Sequence, residues 1–408
     1  MPSILILAAG PLCRNPRVHK EAVALSEAGF DVTVTSIANI ERFEEFDREL
    51  LRGARFRRIA IDRLSRRPMD RLVALAERGL SWLACRAVRF GIESPLALGP
   101  YIAFRRMALR TPADLTIVHT ELSFVVGASL IARGRRVAAD FEDWHSRDLL
   151  PASRSARPIR LLEKTERLLM RRSAYTSAPS EAMAAALQGA YGGAHPLVIP
   201  NTFPIQPAPR PLPRQSPPSF FWFSQTIGEG RGIEQFLAAW ALTHEPSQVC
   251  LLGDISDSFR QLLVSLVPEG RRPMLRFLPI TSPVELPAVI AEHDIGLALE
   301  AESPESRYLT TTNKIFQYLN AGLAVLASPT AGQREVMSRI PDSGIVVELG
   351  SPGPLAALLD GLLSAKGRLA SMGAAAREGA VKYFSWERTA PRLIDGVSNA
   401  VGGANPKA

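Results

Sequence analysis

The chain alternates short unbroken apolar runs with longer stretches in which apolar residues return every three or four positions. The first run covers residues 4–8 and stops at Gly10; an uninterrupted run of this length suits a strand covered on both faces of a parallel sheet. From Asn15 onward Val18, Ala22 and Leu25 stand at helical spacing until Gly29, and residues 31–37 return as a strand rich in Val and Thr. This is a β-α-β unit, and its crossover is expected to be right-handed. Further strands are expected at 115–119, 137–141, 174–178 and 197–199. The alternation pauses at Pro200-Asn201, where TFPIQPAPRPLPRQSPPS is too rich in proline for helix and reads as an extended connector. It restarts with strands at 220–224, 249–253, 275–277, 295–299, 324–327 and 344–347, and with a helix from about 232 to 242.

Two α/β domains follow from this pattern, each a Rossmann-like doubly wound parallel sheet, and 408 residues are more than one core usually organises. The expected boundaries are 1–200 for the first domain, 201–218 for the linker, 219–385 for the second domain and 386–408 for a last helix that crosses back to the first. Ligands in such sheets sit at the carboxyl ends of the strands, so the two domains are expected to face each other across a cleft.

Composition narrows the class. The apolar share is 46% and the formal charge +8. Between residues 51 and 110 fourteen arginines face four acids, a local balance of +10 that leaves −2 for the remainder. Such a stretch suits an anionic membrane face or a polyanion, but zinc-finger spacing and an aromatic RNA platform are both lacking, so nucleic acid is not expected as a partner. Within the stretch, Leu72, Ala76, Leu80, Leu83 and Ala87 share one helical face while Arg71, Arg78, Arg86 and Arg89 lie on another. That layout serves an interfacial helix or a surface helix packed on a sheet, and the pattern leaves both open.

Cys13, Cys85 and Cys250 are far apart, with no paired-cysteine or histidine spacing, so no metal site is expected and a reducing compartment is. The start MPSILILAAG lacks the basic end and long apolar stretch of a signal peptide, and no run is long enough to span a bilayer. A cytoplasmic protein is expected, with a peripheral place on the inner membrane face left open. No GxGxxG follows either opening strand, and neither a GxSxG elbow nor a P-loop occurs, which argues against dehydrogenases, hydrolases of that type and P-loop enzymes.

An anion site can be read directly. Arg231 stands in GEGRG just before a helix, with Gly228, Gly230 and Gly232 allowing close backbone approach, and Lys314 stands in TTTNK at the start of another. Cations and backbone N–H groups at helix starts are what a diphosphate needs in place of a metal. Thr311, Thr312 and Asn313 can add hydroxyl, amide and N–H groups.

The ordered blocks NPRVHKEAVALSEAGFDVTV, VIPNT, FFWFSQTIGEGRGIEQFLAAW, TTNKIFQYLNAGLAVLASPTAG and FSWERTAPRLI together resemble the large family-4-like group (glycosyl transferases group 1) of retaining glycosyltransferases with the GT-B fold. The resemblance implies an enzyme that moves a sugar from a nucleotide diphosphate to a hydroxyl on a glycan, a lipid-linked sugar or a small molecule. The first domain would bind the acceptor and the second the nucleotide sugar, with no cofactor beyond that co-substrate. It makes Arg231 a contact of the donor diphosphate and His119 the histidine beside the transferred sugar, so His119, Arg231 and Lys314 are the candidate catalytic residues. Members of the family carry two glutamates where Leu309 and Gln317 stand here, and an arginine where Thr226 stands; Gln317 can still bond a ribose hydroxyl. Glu142 takes the place of a usual histidine, and with Asp143, His145, Gly10, Arg14 and Arg17 it is assigned to the acceptor edge, Arg17 being equally readable as a solvated helix residue. Because the family is retaining, the leaving phosphate itself can take the acceptor's proton. A nucleotide-sugar epimerase on the same fold and a non-catalytic nucleotide-sugar-binding protein stay open as alternatives.

Overall fold

A computed structural model describes residues 1–150, 154–207 and 217–402. The chain divides into two compact units. One comprises Met1–Ile199 and Pro304–Ser306 with the end of the last helix from Ala390, the other Pro200–Ser303 and Arg307–Thr389.

The first unit is built on seven parallel strands: β1 (Ser3–Leu7), β2 (Asp31–Ala38), β3 (Arg57–Asp62), β4 (Leu115–Val118), β5 (Val137–Asp140), β6 (Thr176–Ala178) and β7 (Leu197–Val198), in the order β3-β2-β1-β4-β5-β6-β7. The second has six: β8 (Ser219–Ile227), β9 (Gln248–Ile255), β10 (Leu275–Leu278), β11 (Ile295–Ala298), β12 (Ala324–Ala327) and β13 (Gly344–Val346), in the order β10-β9-β8-β11-β12-β13. Both are doubly wound, and in each the strand order reverses at the opening strand, between β1 and β4 and between β8 and β11. Loops diverge there and leave a crevice at the carboxyl end of the sheet.

The unbroken apolar runs have a direct cause in the packing. Along β8, Phe220 and Trp222 enter one core with Val249, Leu251 and Leu297, while Phe221 and Phe223 enter the opposite core with Cys250, Ile315 and Phe316. Both faces of the sheet are covered along this part of the strand, so all four positions 220–223 are apolar. β8 also carries a bulge: Phe223 pairs with Leu252 and Thr226 with Asp254, one residue more on β8 than on β9. Ser224 O reaches across this bulge so closely that a side chain at Gly253 would stand 2.3 Å from it, and Gly253 has φ +147°.

β3 was not expected from the pattern. Its sequence RRIAID alternates, it pairs only with β2 at the edge of the sheet, and its side chains are half-buried or exposed. The helix expected from the spacing of Leu72, Ala76, Leu80, Leu83 and Ala87 is found at Pro68–Val88. Of the proline-rich connector, residues 208–216 lie outside the described residues, as do 403–408 at the end of the chain. The last helix, Trp386–Gly402, begins where the Trp386 N–H donates to Phe203 O, and near its end Arg136 Nη1 donates to Val401 O.

Candidate functional site

In the second unit the functional side chains gather at the carboxyl ends of β8, β11 and β12. The loop after β8 runs through Gly228, Gly230 and Gly232 into the helix Ile233–Trp240. Gly232 has φ +77°, and a Cβ there would stand 2.3 Å from Leu349 Cδ1, so no other residue fits the turn without displacing that leucine. Arg231, held between these glycines, reaches Glu300 Oε1 at 3.5 Å. Lys314, on the first turn of the helix Asn313–Ala321, donates to the same oxygen at 2.6 Å and lies 5.3 Å from the centre of the Trp222 ring. The two cations singled out in the sequence therefore meet on one carboxylate. Arg307 completes the ring of cations, its Nη1 donating to Gly230 O at 3.4 Å.

Glu300 was missed by sequence reasoning. It follows β11 by two residues and its backbone N–H donates to Ser328 Oγ at 2.6 Å. Burial alone would raise its carboxyl, but Lys314, Arg231 and Arg307 hold it below the ordinary carboxylate value, so it is ionised. Its second oxygen, Oε2, is buried with no hydrogen-bond partner. Unpartnered buried atoms continue around the same strand ends: Thr310 Oγ1, Thr312 Oγ1, Asn313 Oδ1, Thr330 Oγ1 and both polar atoms of Gln333. Buried polar groups are normally bonded, so such a concentration marks a place built for groups supplied from outside. Thr311 differs, for its hydroxyl donates to Gly332 O at 2.9 Å. The strand-end loop can lie this close because residue 332 is glycine: a Cβ there would stand 2.4 Å from Thr310 O. Gln317, one turn beyond Lys314, lines a hollow of about 270 Å³ with Phe203, Val284 and Asn320.

The first unit presents a different arrangement at the ends of β1, β4 and β5. Gly10 opens the loop to the helix Pro16–Glu27, and Asp47 pins that loop by accepting from Leu12 N at 2.9 Å and Cys13 N at 2.6 Å while pairing with Arg58 at 3.0 Å. Arg14 is exposed, its guanidinium over the Phe43 ring. Arg17 is not solvated. It is 2% exposed, donating from Nε to Asp140 Oδ2 at 2.8 Å and from Nη1 to Ile199 O at 2.6 Å. One helical turn on, Glu21 Oε2 lies 2.6 Å from His119 Nε2. His119, the candidate for the histidine beside the transferred sugar, has a fully buried ring with Glu21 on the helix as its charge partner. Burial alone would lower the imidazole, but Glu21, Asp140 and Glu142 raise it above its ordinary 6.5, favouring the charged form. The next residue, Thr120, has φ +28°, the only positive φ outside glycine among the described residues. Strained backbone beside a functional strand end is a common companion of a binding site.

The loop after β5 is fixed from beneath. Glu166 accepts from Ser146 N at 2.9 Å, Ser146 Oγ at 2.6 Å and Tyr191 OH at 2.7 Å. Above this anchor Glu142 accepts from Asn15 Nδ2 at 3.0 Å, and burial, then the charge of Asp143, push it up to about 7. Asp143 is half-buried beside it. His145 is covered, edge-on to Phe124, and burial with the nearby His119 charge lowers it to about 4, so it is neutral. Carboxylate oxygens of Glu21 and Asp140 and a ring nitrogen of His119 lie within 4.8 Å of one another, a set that could ligate a metal ion. Here Arg17 and His119 already supply the positive charge those carboxylates need.

Residues 15–202 match the family model of the glycosyl transferase 4-like domain. No curated protein matches the chain. Among solved structures the chain is similar over 98% of its length to all of Anabaena HepE in complex with UDP-glucose, at 18% identity and TM-score 0.70. It is similar over 98% of its length to 99% of the sucrose-phosphate synthase of Thermosynechococcus elongatus, at 16% identity and TM-score 0.69. A putative UDP-N-acetylglucosamine 2-epimerase from Listeria monocytogenes follows at 11% identity and TM-score 0.57, covering 98% of this chain and 96% of that one. The two parallel-sheet α/β domains are those of the GT-B glycosyltransferase fold.

Proposed function

We propose that the protein is a glycosyltransferase of the hexosyltransferase type, moving a sugar from a nucleotide diphosphate donor to a hydroxyl acceptor with retention at the anomeric carbon and without a divalent ion. One observation carries the reading: Arg231, Arg307 and Lys314 surround the single buried carboxylate of Glu300, an excess of positive charge suited to a diphosphate. Glu300 keeps the cations in place before the donor arrives. As the bond to the sugar breaks, charge develops on the departing diphosphate, and Arg231 and Lys314 stabilise it where it forms. The backbone at the start of the helix Asn313–Ala321 adds its N–H groups, and Thr312 its unpartnered hydroxyl as a donor. The acceptor is taken by the first unit, with Arg14, Glu142 and Asp143 as its contacts, and the leaving phosphate receives its proton. No cofactor is needed beyond the nucleotide sugar. A lipid-linked acceptor would bring the protein to the cytoplasmic face of a membrane, a reducing setting that suits the free thiols of Cys13, Cys85 and Cys250.

A panel of UDP, GDP and dTDP sugars tested by thermal stabilisation decides the reading, and the UDP-glucose bound by HepE makes UDP-hexoses the first to try. A matching donor raises the melting temperature in proportion to its affinity. Arg231→Ala weakens that affinity by roughly tenfold or more, as loss of one charge-assisted contact does, and lowers the unliganded melting temperature only slightly because Lys314 and Arg307 still balance Glu300. Radiolabelled donor is then transferred or slowly hydrolysed with EDTA present, and NMR of the product shows the anomeric configuration of the donor. If no nucleotide sugar stabilises the protein the reading fails; epimerised donor, or binding without turnover, assigns the site to the corresponding alternative.

A further inference from the structure

The helix Pro68–Val88 turns outward the face that would be covered if it packed as an ordinary surface helix. Leu72 is 59% exposed, Leu80 42% and Leu83 57%, while the side laid against the unit carries Ala74, Glu77, Ser81 and Ala84. Met69, Leu75 and Trp82 widen the exposed stripe, and Phe90 continues it past the helix end. Single exposed leucines are ordinary; a contiguous apolar stripe along a 21-residue helix is not. At 100° per residue Arg71, Arg78 and Arg89 fall along one border of the stripe, and Arg86 lies 4.8 Å over the Trp82 ring. Near the helix start, Arg63, Arg66, Arg71 and Arg78 join Leu72 and Leu75 in lining a groove of about 910 Å³.

We propose that this face docks on an anionic lipid bilayer, the helix lying in the plane of the interface with Leu72, Leu83 and Trp82 among the upper acyl chains and the arginines at the lipid phosphates. The helix lies on the membrane and does not cross it, since Asp70, Arg71, Glu77, Arg78 and Arg86 interrupt its apolar content, and no helix among the described residues is long and apolar enough to span. Charge selects the occupant. A second copy docked about a two-fold axis would set this arginine border against itself, whereas anionic headgroups neutralise it. Trp82 adds a side chain that favours the boundary between headgroups and acyl chains.

The intact protein supplies its own probe. Trp144, Trp222, Trp240 and Trp386 are buried, which leaves Trp82, 58% exposed, as the tryptophan whose surroundings vesicles can change. Vesicles of phosphatidylcholine and phosphatidylglycerol are expected to shift the emission to the blue and to carry the protein upward in flotation at low salt; vesicles of phosphatidylcholine alone are expected to do neither. Arg71→Gln and Arg78→Gln each weaken partitioning about fivefold, and Leu83→Glu abolishes it with an unchanged melting temperature, since the side chain it replaces is exposed. Unchanged emission and no flotation with the anionic vesicles overturn the proposal. Equal binding to both vesicle types overturns the role of the arginines, and a dimer that Leu83→Glu dissociates, with no flotation, gives the face to a second copy. The vesicles contain neither donor nor acceptor, so failure here leaves the sugar-transfer reading as it was.

Discussion

The two units repeat one topology and invert one electrostatic arrangement. At the carboxyl end of the first sheet a buried guanidinium, Arg17, is enclosed by the carboxylates of Asp140, Glu142 and Glu21. At the same end of the second a buried carboxylate, Glu300, is enclosed by the cations of Lys314, Arg231 and Arg307. A central ion of opposite sign lets each set of like charges sit close together in the absence of a ligand, which bare repulsion would forbid. The sign of the enclosing groups then decides what each end can take: the second suits a polyanion, while the first suits neutral hydroxyls that carboxylates can orient.

Removing the central ion tests the inversion most severely. Arg17→Met leaves three carboxylates with His119 to balance them, and an equilibrium unfolding series should show a loss of roughly 3–5 kcal/mol near neutral pH. The deficit should shrink as pH falls through about 7 and Glu142 protonates; a deficit that does not change with pH would contradict the arrangement. Glu300→Gln is the counterpart, and with Arg231 partly exposed to relieve the repulsion its cost is smaller, about 2–3 kcal/mol. Acid cannot repair it, but an anion can: inorganic pyrophosphate should raise the melting temperature of this variant more than that of the parent, and an equal shift in both would break the comparison. The smallest effect belongs to His119. Its pKa is raised above 6.5 in the fold, so its contribution is complete below 6.5 and fades as pH rises through the raised value. His119→Gln should therefore cost up to about 2 kcal/mol below pH 6.5, with parent and variant converging in urea denaturation once the pH passes the raised value.

Much of the scaffold could be read from the chain because both sheets are covered on both faces and write themselves as apolar runs. β3 could not, since an edge strand bonded on one side needs no such run and RRIAID looks like the surface around it. Arg231 and Lys314 stood out through glycines and a helix start, which are local signals. Their shared partner did not: Glu300 lies in ALEAESPES, where an acid looks solvated, and meets Lys314 fourteen residues away only after the sheet has formed. Its position just past an apolar strand was the one available clue. Asp47 and Glu166, which hold the loops of the first unit, are hidden for the same reason. Arg17 and Glu21, one helical turn apart, were a readable pair, but their strand-end partners Asp140 and His119 come 123 and 98 residues later.

The extra residue in β8 has a consequence for any attempt to shorten or transplant this loop. Side chains alternate along a strand, so deleting Ser224 or Gln225 would restore even pairing with β9 and rotate everything beyond it by half a turn. Ile227, now 1% exposed, would be turned out to water, and the glycine segment would leave the sheet on the wrong side. A graft that copies GEGRG without its irregular stem would carry the right letters and aim the guanidinium elsewhere.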